Sequence, residues 1–159
     1  MNTTALHREE EGARRAWLGD LAKADAGELE RLWDALPEEA RPAFTTLRAP
    51  EFGLVMVRGR TGGTGDRFNL GEMTVTRCAV RLSDGTTGIA YRAGRHRRAA
   101  ELSAVLDAML QSEAHREPHA TAVLDAVRGL AARRREQQAR RSGATRVEFF
   151  TMTRSREQK

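Results

Sequence analysis

Met73-Thr74-Val75-Thr76-Arg77-Cys78-Ala79-Val80-Arg81-Leu82 is followed by Asp84-Gly85 and then by Thr86-Thr87-Gly88-Ile89-Ala90-Tyr91-Arg92. The two long runs are rich in strand-forming residues. The Asp-Gly pair between them marks a tight turn, where glycine accepts backbone angles that other residues resist. An antiparallel hairpin is therefore expected. Upstream, Phe52-Gly53-Leu54-Val55-Met56-Val57 is a further apolar run and supplies a third strand. The result is a three-stranded meander, which 43–47 could extend as an edge strand.

Helical spacing appears on both sides of this sheet. Ala13, Trp17, Leu21 and Ala24 recur along 8–24, and Leu29, Leu32, Trp33 and Leu36 along 26–36, where Pro37 stops the pattern. The two segments read as an N-terminal helical hairpin, and its tryptophans as packing or docking groups without chemistry. Downstream, 95–112 carries an apolar stripe of Leu102, Val105, Leu106 and Met109. A second helix follows Pro118, carries Val123, Leu124, Val127 and Leu130, and ends at Gly143. Val147-Glu148-Phe149-Phe150-Thr151-Met152 then offers an apolar segment for a sheet edge or another subunit. The fold class is α+β: a small antiparallel sheet of three to five strands packed against helices, with an N-terminal helical hairpin and two C-terminal helices. One domain over 1–159 is expected, with 1–8 and 155–159 as flexible ends.

Composition bounds the function. The chain has 159 residues, enough for one core, and a hydrophobic fraction of 40% argues for a folded protein. Its single cysteine, Cys78, excludes an intrachain disulfide, and no apolar run approaches the roughly 20 residues of a membrane span. Glu9-Glu10-Glu11 stands where a secretory signal would be basic and then apolar, so a cytoplasmic location is expected. Residues 1–91 hold 12 basic and 14 acidic side chains, a balance of −2, whereas 92–159 hold 15 and 8, a balance of +7. A basic C-terminal half suits an anionic partner: nucleic acid, a phosphorylated substrate or an acidic protein surface.

The segment between the first two strands, Arg58 to Glu72, has five glycines within 59–71. Arg60, Gly62, Gly63, Thr64, Gly65 and Arg67 could wrap an anion with backbone N–H groups and guanidinium charge. The segment is no Walker A loop, since no Gly-Lys-Ser or Gly-Lys-Thr follows and the next element reads as a strand. Phosphate contact, partner contact and a plain turn all remain open. Gly94-Arg95-His96-Arg97-Arg98 places positive charge at a helix start; a phosphate or partner carboxylate near Arg95 would compensate it, but plain solvated charge is the favoured reading. Arg77 and Arg81 share one strand face, either as a basic groove or paired with carboxylates. His115 and His119 are four apart with Pro118 between them, which breaks the spacing a metal site would use, and Cys78 reads as a buried small hydrophobe. Arg133-Arg134-Arg135 and Arg140-Arg141 lack interleaved aromatics and read as a solvated helix face.

The order of these residues resembles the PhnG family of the bacterial carbon-phosphorus lyase system, from roughly Ala13 to Arg154. Arg60, Gly62-Gly63-Thr64-Gly65-Asp66-Arg67-Phe68, Gly71-Glu72, Thr74, Thr76-Arg77, Ala79-Val80-Arg81-Leu82 and Asp84-Gly85-Thr86 form the most specific block. Gly94-Arg95, Ala100-Glu101 and Asp107-Ala108 continue it, and Arg146 to Met152 closes it. The region 112–142 departs from the pattern.

What the resemblance implies is a non-autonomous subunit. It would act with PhnH, PhnI and PhnL counterparts to replace the adenine of MgATP by a phosphonate, giving a ribose 1-phosphonate 5-triphosphate. A PhnJ counterpart would later cleave the carbon–phosphorus bond. No catalytic residue, metal or cofactor is expected in this chain alone, MgATP being a substrate of the complex. Phe68, Val147, Phe149, Phe150 and Met152 are the expected subunit contacts, and a second copy of the chain is a further candidate partner. Two other readings stay open: an anion- or nucleotide-binding protein acting alone, and a basic nucleic-acid-binding module.

Overall fold

A computed structural model describes residues 3–144. Helix α1 spans Thr3–Lys23 and α2 spans Ala26–Asp34. The chain then forms β1 (Phe44–Arg60), β2 (Arg67–Leu82) and β3 (Thr87–Ala93), followed by α3 (Arg97–Gln111), the short α4 (Glu113–His115), a π turn over Arg116–Ala120 and α5 (Thr121–Ala144). The sheet is antiparallel in the order β1-β2-β3, so the expected α+β meander is the observed one. The Val147–Met152 segment lies outside the described residues.

Several boundaries differ from the sequence reading. Residues 43–47 add no separate strand, because 44–47 and 52–57 belong to the single 17-residue strand β1. Pro50 does not end it: β1 is an edge strand, and the pairing register shifts between Arg48 and Glu51, where a missing ladder donor is tolerated. The glycine-rich segment is mostly strand as well. Only 61–66 turn, and Gly59 stays in the ladder with the Phe68 ring 3.7 Å from where its Cβ would be. Helix α1 begins at Thr3, before the expected residue 8. Pro118 lies inside the π turn with helical backbone on both sides, and Gly143 lies within α5.

The largest departure concerns α3. The sequence marks a stripe of only Leu102, Val105, Leu106 and Met109, yet every residue from Leu102 to Leu110 is buried. The helix is a middle layer: the sheet packs against it, as do α1, α2 and the 116–120 turn, while α5 rests on α1, α2 and that turn. Small residues permit this. A Cβ on Gly88 of β3 would stand 1.9 Å from the Ala104 carbonyl oxygen and 2.9 Å from the Ala108 Cβ, so strand and helix touch backbone to backbone. Leu21, Leu29, Trp33, Val80, Leu106, Met109 and Val127 complete the core around this contact.

Polar groups lock the layers. Asp25 caps α2 by accepting from the Glu28 N–H at 3.0 Å. Arg92, buried on β3, donates to the Leu21 and Ala24 carbonyls and to Ser103 Oγ, and so terminates α1 with a guanidinium where the helix dipole is negative. Ser112 Oγ donates to Asp84 at 2.6 Å, fastening the β2–β3 turn to the end of α3. Among the described residues no helix is long and apolar enough to cross a membrane.

Candidate functional site

Strands β1 and β2 outrun the body. From Glu51 to Arg60 the side chains of β1 alternate between exposed and half-buried, and β2 has no buried residue before Val75. Beyond the Gly53–Val75 pair, where β3 ends at Ala93, the two strands continue alone as a two-stranded arm ending in the turn 61–66. At its tip Gly62 takes φ 61°, which glycine adopts without strain, and the Thr64 and Gly65 N–H groups both donate to the Thr61 carbonyl. Two of the loop's N–H groups are thereby committed to the turn. Arg60 and Arg67 stand directly opposite each other across the ladder, with no ion pair of their own among the described residues. The tip thus offers guanidinium charge that can clamp a carboxylate or a phosphate.

Arg95 belongs to a different place. Its guanidinium lies 5.9 Å from the centroid of the Phe52 ring, and that of Arg97 lies 4.7 Å from it. Phe52 is opposite Thr76, whose hydroxyl donates to the Gly94 carbonyl at 2.7 Å and accepts from the His96 N–H at 3.1 Å. The start of α3 is therefore pinned to the base of the arm. At roughly 3.3 Å per residue along a strand, Arg60 is about 26 Å from Phe52. Arg95 and the Arg60–Arg67 pair cannot contact one small anion together.

The strand arginines separate too. Arg77 donates through Nε to Glu51 at 2.7 Å, its direct cross-strand neighbour, and Arg48 reaches the same carboxylate at 2.8 Å. The hydrogen bond from Arg77 is the main cause holding the Glu51 carboxyl below its ordinary range, and the Glu51 carboxylate likewise raises Arg77. Of the two sequence readings, pairing with a carboxylate is the one observed at Arg77. Arg81, exposed on the same face, has no ion pair among the described residues.

Sequence reasoning missed the buried polar group at the centre of the molecule. Asp107, on α3, has no exposed surface and accepts four hydrogen bonds: Arg14 Nε at 3.2 Å, Arg14 Nη2 at 2.8 Å, Trp17 Nε1 at 2.8 Å and the Ile89 N–H at 2.9 Å. A charged residue within an apolar helical run, with Arg14 and Trp17 one turn apart on another helix, was the available signal. Beside it α1, α3 and α5 enclose a cleft of about 650 Å³, lined among others by Glu11, Trp17, Leu124 and Arg128. Because donors from α1 and β3 saturate the carboxylate, its role is to join those two elements to α3. Arg128 and Arg134 of α5 pair with Asp20 and Glu28, so part of the arginine-rich helix is spent on docking to the N-terminal hairpin.

Among the described residues no three His, Cys, Asp or Glu side chains converge as a metal site. Cys78 is buried, and burial pushes its thiol up to about 11. That is a packing cysteine, not a nucleophile at neutral pH.

Residues 12–155 match the family model for phosphonate metabolism protein PhnG. The chain is also similar to the alpha-D-ribose 1-methylphosphonate 5-triphosphate synthase subunit PhnG of Rhizobium meliloti (strain 1021), with 46% identity over 145 residues, 89% of this chain and 88% of that protein.

Proposed function

The chain belongs to the PhnG family, and on that premise we propose that it is a non-autonomous subunit of a ribose 1-methylphosphonate 5-triphosphate synthase acting in phosphonate catabolism. The observation that carries this reading is the 46% identity to a subunit of that synthase over nearly the full length of both chains. The arrangement of charge agrees with it. Asp107, Arg92, Arg77 and Glu51 are each engaged within the fold, and the arm presents apolar side chains and arginines to solvent in a form suited to another protein.

In this reading the counterparts of PhnH, PhnI, PhnJ and PhnL are the partners. MgATP is a substrate of the assembly, and this chain holds no cofactor of its own. The test is co-expression with those counterparts, affinity capture, and an assay of adenine release from MgATP and methylphosphonate. Stoichiometric capture and adenine release that requires this chain are the expected results. A chain that elutes alone, or adenine release undiminished when it is left out, would refute the proposal.

A further inference from the structure

The face of the sheet that α3 covers does not end where α3 begins. Thr76 is the last position of that face held by the start of the helix, and its opposite neighbour Phe52 opens a row that alternates onward along β1 through Leu54, Met56, Arg58 and Arg60. Phe52, Leu54 and Met56 are 43%, 63% and 52% exposed, values at odds with side chains of this size unless something covers them. The row is framed by charge at both ends: Arg95 and Arg97 stand over Phe52, and Arg60 faces Arg67 at the tip. A two-stranded arm with this much apolar surface is marginal in water by itself.

We propose that this row is the seat of an amphipathic helix from a sister subunit, one with an apolar centre and carboxylates at both ends. The proposal rests on the subunit reading above and names the surface that does the docking. A helix is the element that already covers the same face one step further along, where α3 lies. The row runs about 26 Å, which an α-helix of roughly 17 residues spans.

Charge selects the occupant. A second copy laid on the row in either direction sets arginines against arginines, since both ends are basic. The chain's own residues 145–159 carry Arg146, Arg154, Arg156 and Lys159 against Glu148 and Glu157, a balance of +2, and so do not match these ends either. An anionic lipid surface would meet Glu72, directly opposite Met56 in the middle of the row. An acidic-ended partner helix suits all of these positions.

The experiment compares the full chain with Leu54→Asp, Met56→Asp and the double Arg95→Glu/Arg97→Glu variant, each co-expressed with the PhnH, PhnI and PhnJ counterparts. Thermal melting and hydrogen exchange accompany the capture assay. The expected result is a loss of captured partner of about tenfold or more for each variant, with the melting of the isolated chain unchanged, and amide protection of 52–58 in the wild-type chain only when partners are present. Variants captured as well as the wild type would overturn the inference while leaving the subunit reading intact. A wild-type chain that captures nothing would sink that reading and the inference with it. Concentration-dependent protection of 52–58 in the isolated chain, its loss on deletion of 145–159, or binding of phosphatidylserine vesicles that Leu54→Asp abolishes would each assign the row to another occupant.

Discussion

Arg14 grips Asp107 with two nitrogens, Nε at 3.2 Å and Nη2 at 2.8 Å, joining residues 93 positions apart in sequence. The carboxylate is buried, while a third of the Arg14 side chain still reaches solvent. Removing the acid therefore strands the Trp17 and Ile89 N–H donors more severely than it strands the guanidinium. Asp107→Ala is predicted to destabilise the chain by about 3 kcal/mol, measured by urea unfolding. A double-mutant cycle with Arg14→Ala separates the ion pair from the two N–H contacts, and an Asp107→Ala variant as stable as wild type would show that this junction does not hold the layers together.

Glycines should divide by environment. Gly88→Ala drives a methyl group into the backbone of α3, where no rotamer change relieves it, and is expected to lose about 3 kcal/mol or to fail to fold. Gly129 lies exposed within α5 with open space around it, and Gly129→Ala is expected to add about 0.5–1 kcal/mol. Thermal denaturation of the two variants beside the wild type reads both signs.

For Cys78, burial raises the thiol from an ordinary 9.0 to about 11. A folded-state value above the unfolded one means that the contribution is fully present below pH 9 and is lost as pH rises through 11. Stability should fall across that window more steeply in the wild type than in Cys78→Ala. Native protein should resist iodoacetamide at pH 8 and react fully once unfolded, as mass spectrometry would record.

Arg92 holds the end of α1 through the Leu21 and Ala24 carbonyls. Arg92→Met keeps the volume but leaves those acceptors buried without a donor, a loss of about 2 kcal/mol. Hydrogen exchange should show the α1–α2 junction opening ahead of the sheet, and uniform acceleration across the chain would argue against a local capping role.

The sequence by itself determined the kinds and order of the elements. The strand-forming residues of Met73–Leu82, the Asp84-Gly85 turn and the helical spacings around Leu29 and Leu106 depend on neighbours within a few residues, and the structure follows them. Local pattern also carried the family resemblance, because the ordered blocks are a property of the chain alone. Tertiary structure decided the rest. Whether α3 kept an exposed face or none depended on α1, α2 and the 116–120 turn arriving against it, which no spacing within 97–111 expresses. Pro50 stayed within β1 because that strand lies at the edge of the sheet. The arginines looked alike in sequence, yet Arg14, Arg77 and Arg92 are consumed by partners brought from distant segments, while Arg60 and Arg67 are left facing outward. Which charges remain for another molecule is set by long-range pairing, and only the folded chain settles it.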